Sequence, residues 1–125
     1  MPANPWVTFQ QPDRAREYLV LLSELPLLRF RDLGAFVLYS GRIQSQLKRT
    51  PGVLGYSLLA HIHKKRFWTL SVWETETALQ DFVVSPPHQD VMRSLQGKMG
   101  PTRFVRWTLR GAEFPPRWPD ALARR

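Results

Sequence analysis

Five side chains in this sequence have the chemistry to hold or transform a small organic molecule: His88, Phe36, Tyr56, Trp68 and Phe82. His88 follows Ser85-Pro86-Pro87, where a helix can restart because proline is tolerated at a helix's first position. An imidazole there titrates near neutrality and can take or return a proton in a cleft. The same position also suits a helix-start residue bonded to nearby backbone. The four aromatics are expected to face the space between a sheet and its helices, as core or as the walls of a flat aromatic pocket. Arg106 has the charge to hold an anionic group, or to pair with Glu24 or with a partner chain.

A second cluster lies in HIHKKRFWTLSVWE, residues 61–74, where cations alternate with large aromatics. Such a strand can stack nucleobases, which makes an RNA-binding module one alternative. The RNA-recognition motif wants a glycine after its basic residue and alternating aromatics on an open face. Lys65-Arg66-Phe67-Trp68-Thr69 has no such glycine, and Thr69 stands where the second aromatic should be. Net charge is +8, but the cations are spread along the chain and mixed with acids. A diffusely basic surface without specific nucleic-acid binding is the expectation.

The elements that must position these residues follow from apolar spacing. Tyr18–Ser23 is a continuous apolar run of strand length. Asp32 is placed to cap a helix carrying Phe36, Ser40, Ile43 and Leu47 at helical spacing, with Leu33 and Val37 widening the stripe. Thr50-Pro51-Gly52 ends it. Val53–Ile62 and Phe67–Trp73 read as paired strands, Thr75 caps a helix with Ala78, Leu79 and Phe82, and Thr102–Leu109 is a last strand. The order β-α-β-β-α-β defines an α+β, ferredoxin-like unit with a four-stranded antiparallel sheet. It spans residues 17–110. Residues 1–16 and 111–125 are proline-rich arms, each pinned by a tryptophan, Trp6 or Trp118.

Strand alternation gives the hairpin two faces. A three-residue loop at His63–Lys65 pairs Ser57 with Ser71 and leaves Leu54, Tyr56, Leu58, Ala60, Trp68, Leu70 and Val72 on one apolar face. The opposite face then holds Ser57, Leu59, Phe67, Thr69, Ser71, Trp73, Phe104 and Arg106. That set is too hydrophobic for water, which predicts a homodimer packed sheet to sheet through it.

One domain accommodates 125 residues, and a 43% hydrophobic share supports a packed core. With no cysteine, disulfides, thiolate metal sites and cysteine nucleophiles are excluded. No metal-ligand spacing, phosphate loop, nucleophile elbow or paired carboxylates occur, so neither a metal nor another cofactor is expected. The longest apolar run is too short to span a bilayer, and the first residues do not read as a signal peptide, so a cytoplasmic protein without membrane contact is expected.

GYSLLAH, FWTLSVWE and TALQDFVVSPPH together resemble the antibiotic-biosynthesis-monooxygenase-like families of dimeric α+β barrels. The shared pattern is Trp73 and Glu74 at a strand end, Phe82 on a short helix, then Ser85 and His88. The resemblance covers about residues 18–110. It implies a homodimer with a cleft between helices and sheet, and a monooxygenase-like activity, in some relatives without metal or flavin. A non-catalytic dimer that binds a small aromatic ligand is the other reading. Haem-degrading relatives use an Asn, a Trp and a His. Here Phe82 stands at the Trp position, Val91 or Met92 near the His position, and no asparagine lies in the first strand.

Overall fold

The computed structural model describes residues 5–125 and places five strands in one sheet. The strands are β1 (Val7–Thr8), β2 (Glu17–Pro26), β3 (Val53–His61), β4 (Arg66–Trp73) and β5 (Arg103–Arg110). Three helices follow the ferredoxin-like order, α1 (Leu33–Lys48), α2 (Glu76–Val84) and α3 (His88–Ser94). A fourth, α4 (Trp118–Leu122), lies in the C-terminal arm. The sheet order is β1-β3-β4-β2-β5 and every pairing is antiparallel. The split βαβ reading therefore holds, with one strand more than expected. The extra strand is β1, a two-residue piece of the N-terminal arm laid along the edge of β3.

Thr75 caps α2 as its type suggests, its hydroxyl accepting from the Ala78 N–H at 3.1 Å. Asp32 does not cap α1 through its side chain, because a tight turn over Phe30–Asp32 already leads into the helix. On α1 the buried stripe runs through Phe36, Gln46 and Leu47, while Val37 is 60% exposed. The apolar face is thus narrower than the sequence suggested, and a glutamine sits on it.

The hairpin register differs from the expectation. Ser57 pairs with Leu70 and Leu58 with Thr69, because the connection spans four residues, Ile62–Lys65. It is a tight turn closed by Lys65 in the left-handed region (φ 55°). An even-numbered loop exchanges the two faces of β4 relative to β3. Phe67, Thr69, Ser71 and Trp73 consequently lie on the helix side, opposite Ala60, Leu58 and Tyr56. Trp68, Leu70 and Val72 share the outer face with Leu59, Ser57, Val20 and Leu22.

Both faces are covered. On the inner side, Trp73, Phe82, Leu79, Leu47 and Val53 form one packed cluster, and Phe36, Phe67, Leu27, Val91 and Leu95 another. On the outer side, Trp6, Phe114, Trp118, Ala121 and Leu122 pack over Tyr18, Val20, Leu22, Leu59, Trp68, Leu70 and Val72. The eight residues expected to form one dimer face are therefore divided. Ser57 and Leu59 lie under the arms, Phe67, Ser71 and Trp73 are buried beneath the helices, and Thr69 shares that inner side. Phe104 and Arg106 are exposed on the edge strand β5.

Candidate active-site cleft

Phe82 and His88 meet where the C-terminal end of α1 reaches the α2–α3 break. Gln46 is buried there and makes three polar contacts. Its amide nitrogen donates to the Phe82 carbonyl at 3.1 Å and the Ser85 carbonyl at 3.4 Å, and its Oε1 accepts the His88 main-chain N–H at 2.8 Å. One side chain thereby ties the end of α2 to the start of α3, adding a second donor to two carbonyls that already accept main-chain N–H groups and pairing the His88 N–H that the helix start leaves free.

His88 stands at the first position of α3. Its Nδ1 is 3.2 Å from the Val83 carbonyl, a geometry that requires Nδ1 to carry the proton and leaves the Nε2 lone pair as acceptor. Burial lowers its pKa from the ordinary 6.5, and the Val83 carbonyl opposes the shift. Between its lowered folded value and 6.5 the unfolded chain binds a proton that the native chain does not. Its contribution is therefore present in full above 6.5 and is lost as pH falls through that window. In urea titrations between about pH 8 and pH 5, His88→Gln should flatten this part of the stability profile. An unchanged slope would show that the imidazole does not titrate differently on folding.

Aromatic rings connect His88 to the sheet. The Phe82 ring centroid is 5.0 Å from His88 and 5.2 Å from Trp73, whose indole N–H donates to the Ser71 hydroxyl at 2.8 Å. Tyr56 belongs to the same cluster. Its hydroxyl donates to Gln44 Oε1 at 2.9 Å, and burial raises its pKa. Phe36 lies in the neighbouring cluster, stacked on Phe67 at 4.4 Å.

Trp68 does not join them. The hairpin register puts it on the outer face, 3% exposed, with the Arg125 guanidinium 5.8 Å from its ring. Arg106 pairs with Glu76 on α2, not with Glu24, and holds that carboxyl below the usual range. Glu24 pairs instead with Arg66 at 3.2 Å and Arg125 at 3.8 Å. Since the outer face is covered and Phe67 points to the helices, the stacking platform of an RNA-binding sheet is not formed by these strands.

An open cleft of about 430 Å³ lies beside this cluster, between the end of α1 and α2. Phe82, Gln46, Arg49, Asp81, Ser85 and Pro86 contribute to its walls. Of the five residues singled out from the sequence, Phe82 alone reaches it; Tyr56 and Phe36 lie deeper, and His88 adjoins it through the Phe82 ring. Gln46 and Arg49 were missed. A signal for Gln46 existed, a polar residue three positions after Ile43 on the apolar stripe, whereas Arg49 resembles any surface arginine. Among the described residues no group of three or more His, Asp or Glu could hold a metal ion, and no helix is long and apolar enough to cross a membrane.

The fold and cleft define an α+β protein of ferredoxin-like topology with its polar groups collected at the α1–α2–α3 junction. The family model described as "Antibiotic biosynthesis monooxygenase" matches residues 33–94, from the first residue of α1 to the last of α3. Over that segment the chain is similar to the antibiotic-biosynthesis-monooxygenase-like family. Solved structures agree in fold. SnoaB, a cofactor-independent oxygenase from Streptomyces nogalater, superposes with a TM-score of 0.63 at 14% identity, over 76% of this chain and 95% of its own. A Nitrosomonas europaea protein assigned to the antibiotic biosynthesis monooxygenases gives 0.64 at 15% identity, over 71% and 95%. A Shewanella oneidensis protein gives 0.64 at 9% identity, over 84% and 97%. Among curated proteins, none matches the sequence.

Proposed function

We propose that the chain is a monooxygenase-like oxidoreductase that takes a small, electron-rich aromatic anion in the α1–α2 cleft and oxidises it with O2, without a cofactor. The observation that carries this reading is the pairing of an aromatic wall, Phe82, with a cation, Arg49, in one cleft of the family-matched segment. A volume of about 430 Å³ suits a molecule of one or two rings. Arg49 supplies the charge for a phenolate or enolate oxygen, and the Phe82 ring supplies a flat contact.

His88, neutral and with Nε2 as acceptor, lies behind the Phe82 ring and is assigned to take the substrate proton through a bridging water or after that ring turns aside. The resulting anion is electron-rich enough to reduce O2. For a ring-activated CH2 group, one oxygen atom is retained as C=O and the other leaves as water, with both methylene hydrogens. The substrate carbon is oxidised by four electrons and O2 is reduced by four. The SnoaB comparison supports cofactor-independent oxygenation as a precedent on the fold.

A second reading, a non-catalytic ligand-binding protein, is favoured by the way His88 is held. Its main-chain N–H is held by Gln46 and its Nδ1 by the Val83 carbonyl at the end of α2, so both serve the α2–α3 junction. Oxygen uptake and calorimetric binding with a panel of phenols and ring-activated ketones separate the two. Turnover that falls 100-fold or more in His88→Gln, with binding kept, is expected for an acid–base group. Arg49→Ala should weaken anion binding about tenfold, or about 1.4 kcal/mol. Binding without oxygen uptake would leave the second reading, and neither binding nor uptake would overturn both.

A further inference from the structure

Three segments meet at one end of the sheet, where β2 stops, β3 turns into β4 and the chain approaches β5. Main-chain bonds tie them together. The Leu27 N–H donates to the Lys65 carbonyl at 2.7 Å, the Leu28 N–H to the Lys98 carbonyl at 2.9 Å, and the Gly100 N–H back to the Pro26 carbonyl at 2.9 Å. The end is therefore one platform, and it belongs to neither face of the sheet. Two kinds of side chain stand on it. Leu28, Phe30 and Ile62 are each roughly half exposed. One such residue alone would be ordinary; three on one tied platform form a patch. Arg29, Arg31, Lys64, Lys65 and Lys98 accompany them, and residues 27–31, 62–65 and 98–100 contain no acid. Asp32, the next acid along, has its Oδ2 buried away from solvent. The Lys65 Nζ lies 4.6 Å from the Phe30 ring centroid, so cation and ring share one spot.

We infer that this platform is a peripheral docking surface for an anionic lipid bilayer. A bilayer with acidic headgroups takes both kinds of side chain at once: apolar tips reach the acyl boundary while the Lys and Arg heads stay among the phosphates. A polynucleotide would use the cations but not Leu28 or Ile62, and its bases would find a single ring, already beside Lys65. An acidic peptide that adds as a strand needs free main-chain groups, and here the N–H groups of Leu27, Leu28, Lys65 and Gly100 are taken. The expectation of a protein without membrane contact rested on the lack of a spanning run, which a peripheral surface does not need. The α1–α2 cleft lies at the far end of the 16-residue α1, so docking leaves it open, and the inference does not depend on the proposed reaction.

Co-sedimentation with vesicles at about 0.15 M salt tests this, pure phosphatidylcholine against phosphatidylcholine carrying about 30% phosphatidylserine. The full-length protein should bind the acidic vesicles about tenfold more tightly than the neutral ones. Lys64→Glu should weaken that binding about tenfold, and Phe30→Ser about as much through its lost apolar contact. Arg14→Glu makes the same change of charge just before β2, at the opposite end of the sheet, and should cost less than about threefold. All three side chains are exposed, so the variants should keep the wild-type unfolding midpoint. No preference for the acidic vesicles would overturn the inference. So would an equal loss in Arg14→Glu, which marks attraction by the net charge of +8 alone, or undiminished binding by Phe30→Ser, which marks adsorption without insertion. A single-stranded RNA that displaces the protein from the vesicles at the same salt would assign the platform to nucleic acid instead.

Discussion

Trp73→Ala should lower the free energy of unfolding by about 3–5 kcal/mol, the range for removing a buried aromatic from a packed core. Trp73 is 1% exposed and packs against the tilted Phe82 ring, and its indole N–H is the donor to the Ser71 hydroxyl. Alanine would leave a cavity between β4 and α2 and an acceptor in apolar surroundings without its donor. A domain of this size has about 5–15 kcal/mol in all, so the variant should lose a large part of its cooperative transition in urea. Phe104→Ala is the informative contrast. Phe104 belongs to the set first read as a dimer face, yet it is 61% exposed on an edge strand, and its truncation should stay within about 0.5 kcal/mol. If Trp73→Ala instead left the unfolding midpoint unchanged and only altered the mass in solution, the hairpin register described above would be wrong.

The reading of Trp73 turned on the parity of a single loop. The element order was legible because each strand and helix has its own local signals, such as Thr75 at a cap and Gly52 at a helix end. The hairpin register was not, because the alternation rule assumes that one face of the sheet is wet. In β4 both faces are covered, and every residue from Phe67 to Trp73 except Thr69 is buried. A strand buried on two sides reads as a continuous apolar run, and its parity carries no information about which side meets the helices. The cover responsible is the C-terminal arm, whose prolines argued against regular structure, although Pro119 falls in the first turn of α4, where a missing N–H costs nothing.

The candidate site shows the same limit. Phe82 and His88 were found from the segment spacing they share with a family, and they do lie side by side. Gln46 holds them through backbone carbonyls and a main-chain N–H, which no side-chain pattern announces. Trp68 was misplaced with the register. Its burial was legible from its type; its side of the sheet was not.

Gly111→Ala should be the most damaging small change in the C-terminal arm. Gly111 is buried at the point where β5 leaves the sheet, and its N–H donates to the Arg16 carbonyl at 2.8 Å. The next residue repeats the contact, the Ala112 N–H donating to the Arg14 carbonyl at 3.1 Å. These two bonds join the C-terminal arm to the chain just before β2. A Cβ added at Gly111 would lie 2.7 Å from the Asp13 carbonyl carbon and 3.0 Å from the Arg14 Cα, closer still to the Asp13 oxygen. All three atoms are backbone, so no side chain can rotate to make room. Either residues 13–16 or the start of the arm must move, at a cost of about 1–3 kcal/mol. Gly41→Ala, on α1 with nothing within 4 Å of its added Cβ, should change stability the other way by about 0.5–1 kcal/mol. Paired urea titrations compare the two, and hydrogen exchange locates the damage. Loss of protection confined to residues 111–125 and the chain before β2 is the expected pattern. Gly111→Ala as stable as wild type would mean that the two segments do not approach as closely as described, and that the arm is held by Trp118 and Ala121 alone.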